Sequence, residues 1–143
     1  LGRVAFLDTE RGSASKYADR FTFDVVELED YHPKNYVEVI KAAEQAGYEV
    51  LVVDSLSHAW SGKGGALDLK DKATARSRSG NSYTAWREIT PLHNELVDAI
   101  LGANLHVIQR PSTSLRTTAR AQRLRARWGW LQFRETAWSM SST

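Results

Sequence analysis

Short apolar runs separated by helical patterns constrain the fold of this chain more than any other feature. Residues 4–7 (VAFL), 50–53 (VLVV) and 105–108 (LHVI) are each too short for a helix and are bounded by polar or turn residues, which is typical of buried strands. The run 50–53 is the clearest because most of its residues are β-branched. Strands that alternate with helices predict an α/β fold, with a mainly parallel β-sheet flanked by helices.

The segments between these runs complete the pattern. Residues 23–28 predict a strand whose partial alternation favours a position near the sheet edge. Apolar spacing predicts a helix over residues 36–46, ended by Gly47, and a shorter one over 66–75. A long helix is predicted over residues 83–101, in which Pro91 could introduce a kink.

Composition excludes several classes of protein. The 143 residues suit one domain, and 42% hydrophobic with 25% charged residues argues against a disordered or fibrous chain. The sequence has no cysteine, which rules out disulfides, thiolate metal sites and cysteine nucleophiles and favours a reducing cytoplasm. No apolar run approaches the length of a membrane span.

Charge divides the chain into two parts. Residues 1–108 carry 12 Lys/Arg against 16 Asp/Glu, a net −4, whereas residues 109–143 carry seven Arg against one acid, a net +6. The second part also holds three of the five tryptophans and has no periodicity. We therefore predict a domain over 1–108 and a basic Arg/Trp-rich tail over 109–143. The tail is either an arm for nucleic acid or a disordered end.

The genetic code offers a third interpretation of the tail. Trp and Met each have a single codon, so part of the coding DNA is known. If the DNA for residues 137–143 is translated from the third base of each codon instead of the first, it can encode the peptide MEYEFD. The residues from Trp128 onward can give VGMAPVQRDG in the same way. Both peptides resemble ordinary protein, so we hypothesise a frameshift between about residues 108 and 111. The chain starts at Leu1 without an initiator Met, and we expect it to be a fragment.

Acidic residues follow two of the predicted strands. Asp8 and Glu10 come after the first strand, and Asp54 ends the strand at 50–53. If these strands are neighbours in a parallel sheet, the three acids converge on one edge, where a divalent cation and a polarised water could sit. An acid at a strand end can also be the first solvated residue of a loop. Two such motifs together favour the site.

These motifs resemble a known family. Residues 4–10 (VAFLDTE) and 50–55 (VLVVDS) are similar to the catalytic-glutamate and Walker B strands of RecA-like ATPases. With residues 54–62 (DSLSHAWSG) and 85–94 (AWREITPLHN), the chain resembles phage-type AAA-family, RecA-like P-loop nucleotide-binding proteins over residues 1–108. The resemblance implies an incomplete RecA-like core and an ATPase of DNA recombination or replication, which forms homo-oligomers and binds ATP, Mg²⁺ and single-stranded DNA.

The same resemblance implies roles for individual residues. Asp54 would hold Mg²⁺ through water, with Ser55 beside it in the cofactor site. Glu10 would position and activate the water that attacks the γ-phosphate. Thr9 and Arg11 would be cofactor-binding neighbours of that site.

One motif of the family is missing. No G-x-x-x-x-G-K-[ST] occurs in the sequence, because Gly62-Lys63-Gly64 lacks both the earlier Gly and the following Ser or Thr. Without this loop the backbone cradle and the lysine for phosphate are absent. We expect a truncation before Leu1 and an inactive fragment. The alternative is a non-enzymatic nucleic-acid-binding module that uses the Arg/Trp tail.

Several other residues have ordinary interpretations. His58, His93 and His106 are not at metal-ligand spacing. Trp60 and Trp86 are predicted to pack in the core or at an interface. The basic residues between Lys63 and Arg78 could form a DNA-facing loop or a solvated surface.

Overall fold

A computed structural model describes residues 2–12, 14–17, 19–78 and 80–110. The predicted tail therefore lies outside the described residues, apart from its first two positions. The elements are β1 (Val4–Asp8), a 3₁₀ turn (Ala14–Tyr17), β2 (Asp24–Glu27), α1 (Pro33–Gln45), β3 (Val50–Asp54), α2 (Ser57–Ser61), α3 (Ala66–Arg76), α4 (Ser82–Gly102) and β4 (His106–Arg110).

The four strands form one parallel sheet in the order β2-β1-β3-β4. This confirms the predicted α/β class and the edge position of β2. The register sets Asp8 beside Asp54, and Asp54 beside Arg110. All strands therefore end at the same side of the sheet, and their last residues form a row.

The core lies between the two central strands and the helices. Phe6 of β1, Leu51 of β3 and Tyr36 of α1 are essentially inaccessible to solvent. Strands β1 and β3 are apolar along almost their whole length because both of their faces are covered. Strand β4 is only half buried, as expected of a strand with a neighbour on one side in the described part of the chain.

Three differences from the predicted elements are larger than one residue. Helix α1 begins at Pro33 because proline suits the first helical position, and the His32 side chain accepts a hydrogen bond from the Lys34 amide at 3.2 Å. Strand β4 runs to Arg110, two residues past its predicted end, since it stays in register with β3. The five-residue helix α2 was not predicted.

The long helix α4 is confirmed, and it continues through Pro91. Its side chains pack against α1 and α3. Among the described residues, no helix combines the length and the apolar character needed to cross a lipid bilayer.

Candidate functional site

The candidate site lies at the carboxyl ends of β1, β3 and β4. Ligands of open parallel sheets bind at this edge, because the loops that leave the strands enclose a crevice there. In this chain the edge row runs Glu27, Asp8, Asp54 and Arg110, and Glu10 lies in the loop that follows β1. Two acids predicted for the site, Glu10 and Asp54, are thus brought close together.

Arg110 links these two acids. One of its guanidinium nitrogens, Nη1, donates to both oxygens of Asp54, at 3.2 Å from Oδ1 and 3.0 Å from Oδ2. The same nitrogen lies 3.9 Å from Oε2 of Glu10. The Asp54 side chain is 2% exposed, whereas that of Glu10 is 32% exposed. The Arg110 guanidinium therefore lies between one buried and one solvent-accessible carboxylate.

The prediction that all three acids converge on a cation does not describe Asp8, which binds backbone amides instead. Its carboxylate accepts backbone N–H groups from Glu10 at 2.8 Å, Gly12 at 3.1 Å and Ala14 at 3.0 Å. These bonds fold the loop after β1 back over the strand end, with Arg11 and Gly12 at positive φ of 51° and 92°. Asp8 thus shapes the loop that presents Glu10.

Thr9 and Ser55, both predicted to bind cofactor, are buried beneath the edge. The Thr9 amide donates to the Asp54 carbonyl at 2.8 Å, and the Ser55 amide donates to Thr9 Oγ1 at 2.7 Å. These bonds connect the loops after β1 and β3. The third predicted cofactor-binding residue, Arg11, is exposed at the rim.

His58 and Tyr31 extend this network, and the sequence reasoning did not anticipate their part in it. His58 Nδ1 lies 2.8 Å from Thr9 Oγ1, and the Tyr31 ring stacks on the imidazole with a centroid separation of 4.8 Å. The Tyr31 hydroxyl donates to the Thr9 carbonyl at 3.0 Å. Burial, with a smaller effect of Tyr31, raises the pKa of Tyr36, so its phenol stays protonated and donates to the Ser55 carbonyl.

The segment Gly62-Lys63-Gly64 does not form a phosphate cradle. The Gly64 amide donates to Asp68 Oδ2 at 2.7 Å, and the Gly65 amide donates to the Gly62 carbonyl at 2.9 Å. The Lys63 carbonyl accepts from the Tyr31 amide at 3.0 Å. Hydrogen bonds from Lys72 and from the Gly64 amide hold the pKa of Asp68 below its usual value. These loop amides are therefore engaged inside the protein.

An apolar cavity of about 320 Å³ adjoins the site. It lies between α2, α4 and the end of β4, and Trp60, His93 and Gln109 are among its lining residues. Trp60 stacks on Trp86 at a centroid distance of 5.6 Å, but Trp60 is 44% exposed and so does not lie in the core. Packing of these rings at an interface stays a prediction.

The residue types at the edge suit a magnesium ion that is shared with a nucleotide. Mg²⁺ is commonly held by one or two carboxylates together with phosphate oxygens and water, and Asp54 and Glu10 supply such carboxylates. Within the described ranges, no group of three or more His, Cys, Asp or Glu side chains could hold a metal alone. Both oxygens of Asp54, however, are in contact with Arg110 in this conformation.

Comparison with known protein families gives a match over most of the chain. Residues 1–121, well over half of the chain, match the family model described as an AAA domain. No curated protein matches the sequence.

Proposed function

Since the chain belongs to this AAA-domain family, and so contains a nucleotide-binding, ATPase-like domain, we propose that its sheet edge carries the catalytic carboxylates for ATP hydrolysis. The observation that supports this proposal is the pairing of β1 with β3, which sets Glu10 and Asp54 around the same guanidinium nitrogen. A buried acid at one strand end and an accessible acid beside it suit two different roles in phosphoryl transfer.

Each acid has the environment that its role requires. Asp54 would hold Mg²⁺, and the ion would supply neutralisation of charge on the phosphate oxygens. Glu10 is partly exposed, so its carboxylate can accept a hydrogen bond from the attacking water and orient it. Arg11, exposed at the rim, is the proposed contact to the nucleotide.

Thr9 and Ser55 act differently in this proposal. Both are almost completely buried and are hydrogen-bonded to each other's loop. We assign them to the positioning of Glu10 and Asp54 rather than to contact with nucleotide.

We further propose that the 143-residue chain alone does not turn over ATP. Its sequence contains no G-x-x-x-x-G-K-[ST] motif. The amides of Gly64 and Gly65, in the segment most similar to that motif, already have partners within the protein. The resemblance noted above supports a wider role in phage-type DNA recombination or replication, in the cytoplasm, as a homo-oligomer on single-stranded DNA.

Nucleotide assays on the chain test the proposal. We expect no phosphate release above the buffer rate, and weak Mg²⁺-dependent binding of a fluorescent ATP analogue that Asp54→Asn abolishes. Lys41→Gln, which removes a charge on the exposed side of α1, is the matched control and should bind as the unmodified chain does. Turnover that survives Glu10→Gln, or binding that is indifferent to Asp54→Asn, contradicts the proposed site.

The coding DNA on either side of this sequence provides an independent test. A reading frame upstream that encodes G-x-x-x-x-G-K-[ST], together with a VGMAPVQRDG frame that begins after residue 110, would yield a longer protein for assay. In that protein we expect Glu10→Gln to lower the turnover number by roughly 10²–10⁴-fold, the usual contribution of a general base, while ATP binding persists. A stop-riddled alternative frame would refute the frameshift hypothesis.

A further inference from the structure

We propose that Arg110 is an internal substitute for the divalent cation, and that it must leave Asp54 before a metal ion can bind there. The proposal rests on the function proposed above, because it takes Asp54 as the metal-binding carboxylate. It concerns a residue that the sequence interpretation had assigned to the tail.

The position of one nitrogen atom carries the argument. Arg110 Nη1 contacts both oxygens of Asp54 and also lies near Glu10. It thus occupies the space between the two carboxylates that would share a cation. An ion on Asp54 and a guanidinium at this point would be like charges in direct contact, which is unfavourable, so the two ligands compete.

The arrangement is fixed by the fold. Arg110 is the last residue of β4, and the β3–β4 register sets its Cα directly beside that of Asp54. The Arg110 side chain is only 20% exposed, and Asp54 is nearly inaccessible. A buried carboxylate is strongly destabilising without a counter-charge, and the Arg110 guanidinium supplies one to Asp54 in this conformation.

The charges at the edge predict what would displace Arg110. Asp8, Glu10 and Asp54 with Arg110 sum to −2, and replacing Arg110 by a divalent cation makes the sum −1. The guanidinium that is released then needs a new anionic partner. A cation that arrives with a nucleotide phosphate competes better than the cation alone, because the phosphate supplies that partner.

Manganese binding to the full chain, without nucleotide, tests the proposal. Mn²⁺ stands in for Mg²⁺ because its free concentration can be read by electron paramagnetic resonance. We expect Arg110→Gln to bind Mn²⁺ at least tenfold more tightly than the unmodified chain. Arg87→Gln, which removes the same charge from an exposed position on α4, should not change the affinity. The gain should vanish in the Asp54→Asn/Arg110→Gln double variant.

Thermal unfolding covers the case in which Arg110→Gln folds poorly. That variant removes the guanidinium that contacts both oxygens of the buried Asp54, so we expect its Tm to be lower than that of the unmodified chain. Millimolar Mn²⁺ should raise the Tm of the variant by more degrees than it raises the Tm of the unmodified chain. If the variant is unfolded in the absence of metal, Mn²⁺ should restore its circular dichroism. An Arg110→Gln variant that gains neither Mn²⁺ affinity nor Mn²⁺-dependent stability overturns the proposal.

The two proposals fail in distinguishable ways. If Arg110→Gln gains nothing while Asp54→Asn still abolishes Mg²⁺-dependent ATP-analogue binding, Arg110 is not a competitor, but the proposed site stands. If Asp54→Asn also has no effect on nucleotide binding, the assignment of Asp54 is wrong and both proposals are overturned.

Discussion

Thr9 joins the two loops that carry the proposed catalytic acids. Its hydroxyl oxygen accepts the Ser55 amide at 2.7 Å and lies 2.8 Å from His58 Nδ1, and both Thr9 and Ser55 are removed from solvent. A buried amide that loses its acceptor costs about 1–3 kcal/mol, because water cannot replace the lost partner. The hydroxyl group therefore acts together with the Thr9 amide, which donates to the Asp54 carbonyl, to join the loop of Glu10 to the end of β3.

The predicted consequence is that Thr9→Val, which keeps the side-chain shape, destabilises the chain by about 1–3 kcal/mol. Urea unfolding measures the loss, and hydrogen exchange locates it, since the Ser55 amide should exchange faster. Thr9→Ser keeps the hydroxyl and should preserve the protection of that amide, although loss of the methyl group costs about 1 kcal/mol. Unchanged Ser55 protection in Thr9→Val would show that the hydroxyl does not hold the loops together.

The residues of the site differ in how far sequence could predict them. Glu10 and Asp54 could be placed together because parallel strands end at one edge, and a one-dimensional pattern reveals such strands. The part played by Asp8 could not be foreseen, since it depends on three amides of a loop whose path the pattern does not define. Arg110 was missed because the shift in composition near residue 108 suggested an earlier end for β4.

At the scale of elements, the helix and strand types follow from periodicity, whereas boundaries depend on local contacts. The fourth strand continues through polar residues because backbone pairing with β3 does not require apolar side chains. Helix α4 likewise continues through Pro91, near its middle, where proline is unfavourable. Packing of α4 against α1 and α3 outweighs the unfavourable propensity of one residue.

Pro91 is therefore expected to lower the stability of α4. Proline has no amide hydrogen, so the carbonyl four residues earlier, that of Arg87, has no helical donor. We expect Pro91→Ala to raise the free energy of unfolding by about 1–3 kcal/mol, up to the difference in helix propensity between the two residues. Thr90→Ala, at the exposed neighbouring position, should change it by less than about 1 kcal/mol. A Pro91→Ala variant less stable than the unmodified chain would mean that the ring itself contributes packing.

At the scale of the whole molecule, opposite charges lie in different parts of the sequence. Residues 1–108 are acidic, and the following 35 residues carry a net +6. We expect a segment with this charge to bind single-stranded nucleic acid non-specifically by releasing counterions, whether or not it evolved for that purpose. The observation that the chain binds DNA would therefore not by itself distinguish an evolved arm from a frameshifted tail.

The tryptophans of the tail make that separation possible. Deletion of residues 111–143 keeps Arg110 in β4, and it should remove any binding to an oligothymidine whose affinity falls steeply with salt. In an evolved arm, Trp128 and Trp130 would stack on bases, and replacing both by alanine should weaken binding by about 1–3 kcal/mol for each base unstacked, at unchanged salt dependence. Since a frameshift would place these residues by chance, we expect the double alanine variant to bind as the full chain does. A tenfold or greater loss would instead favour the nucleic-acid-binding module.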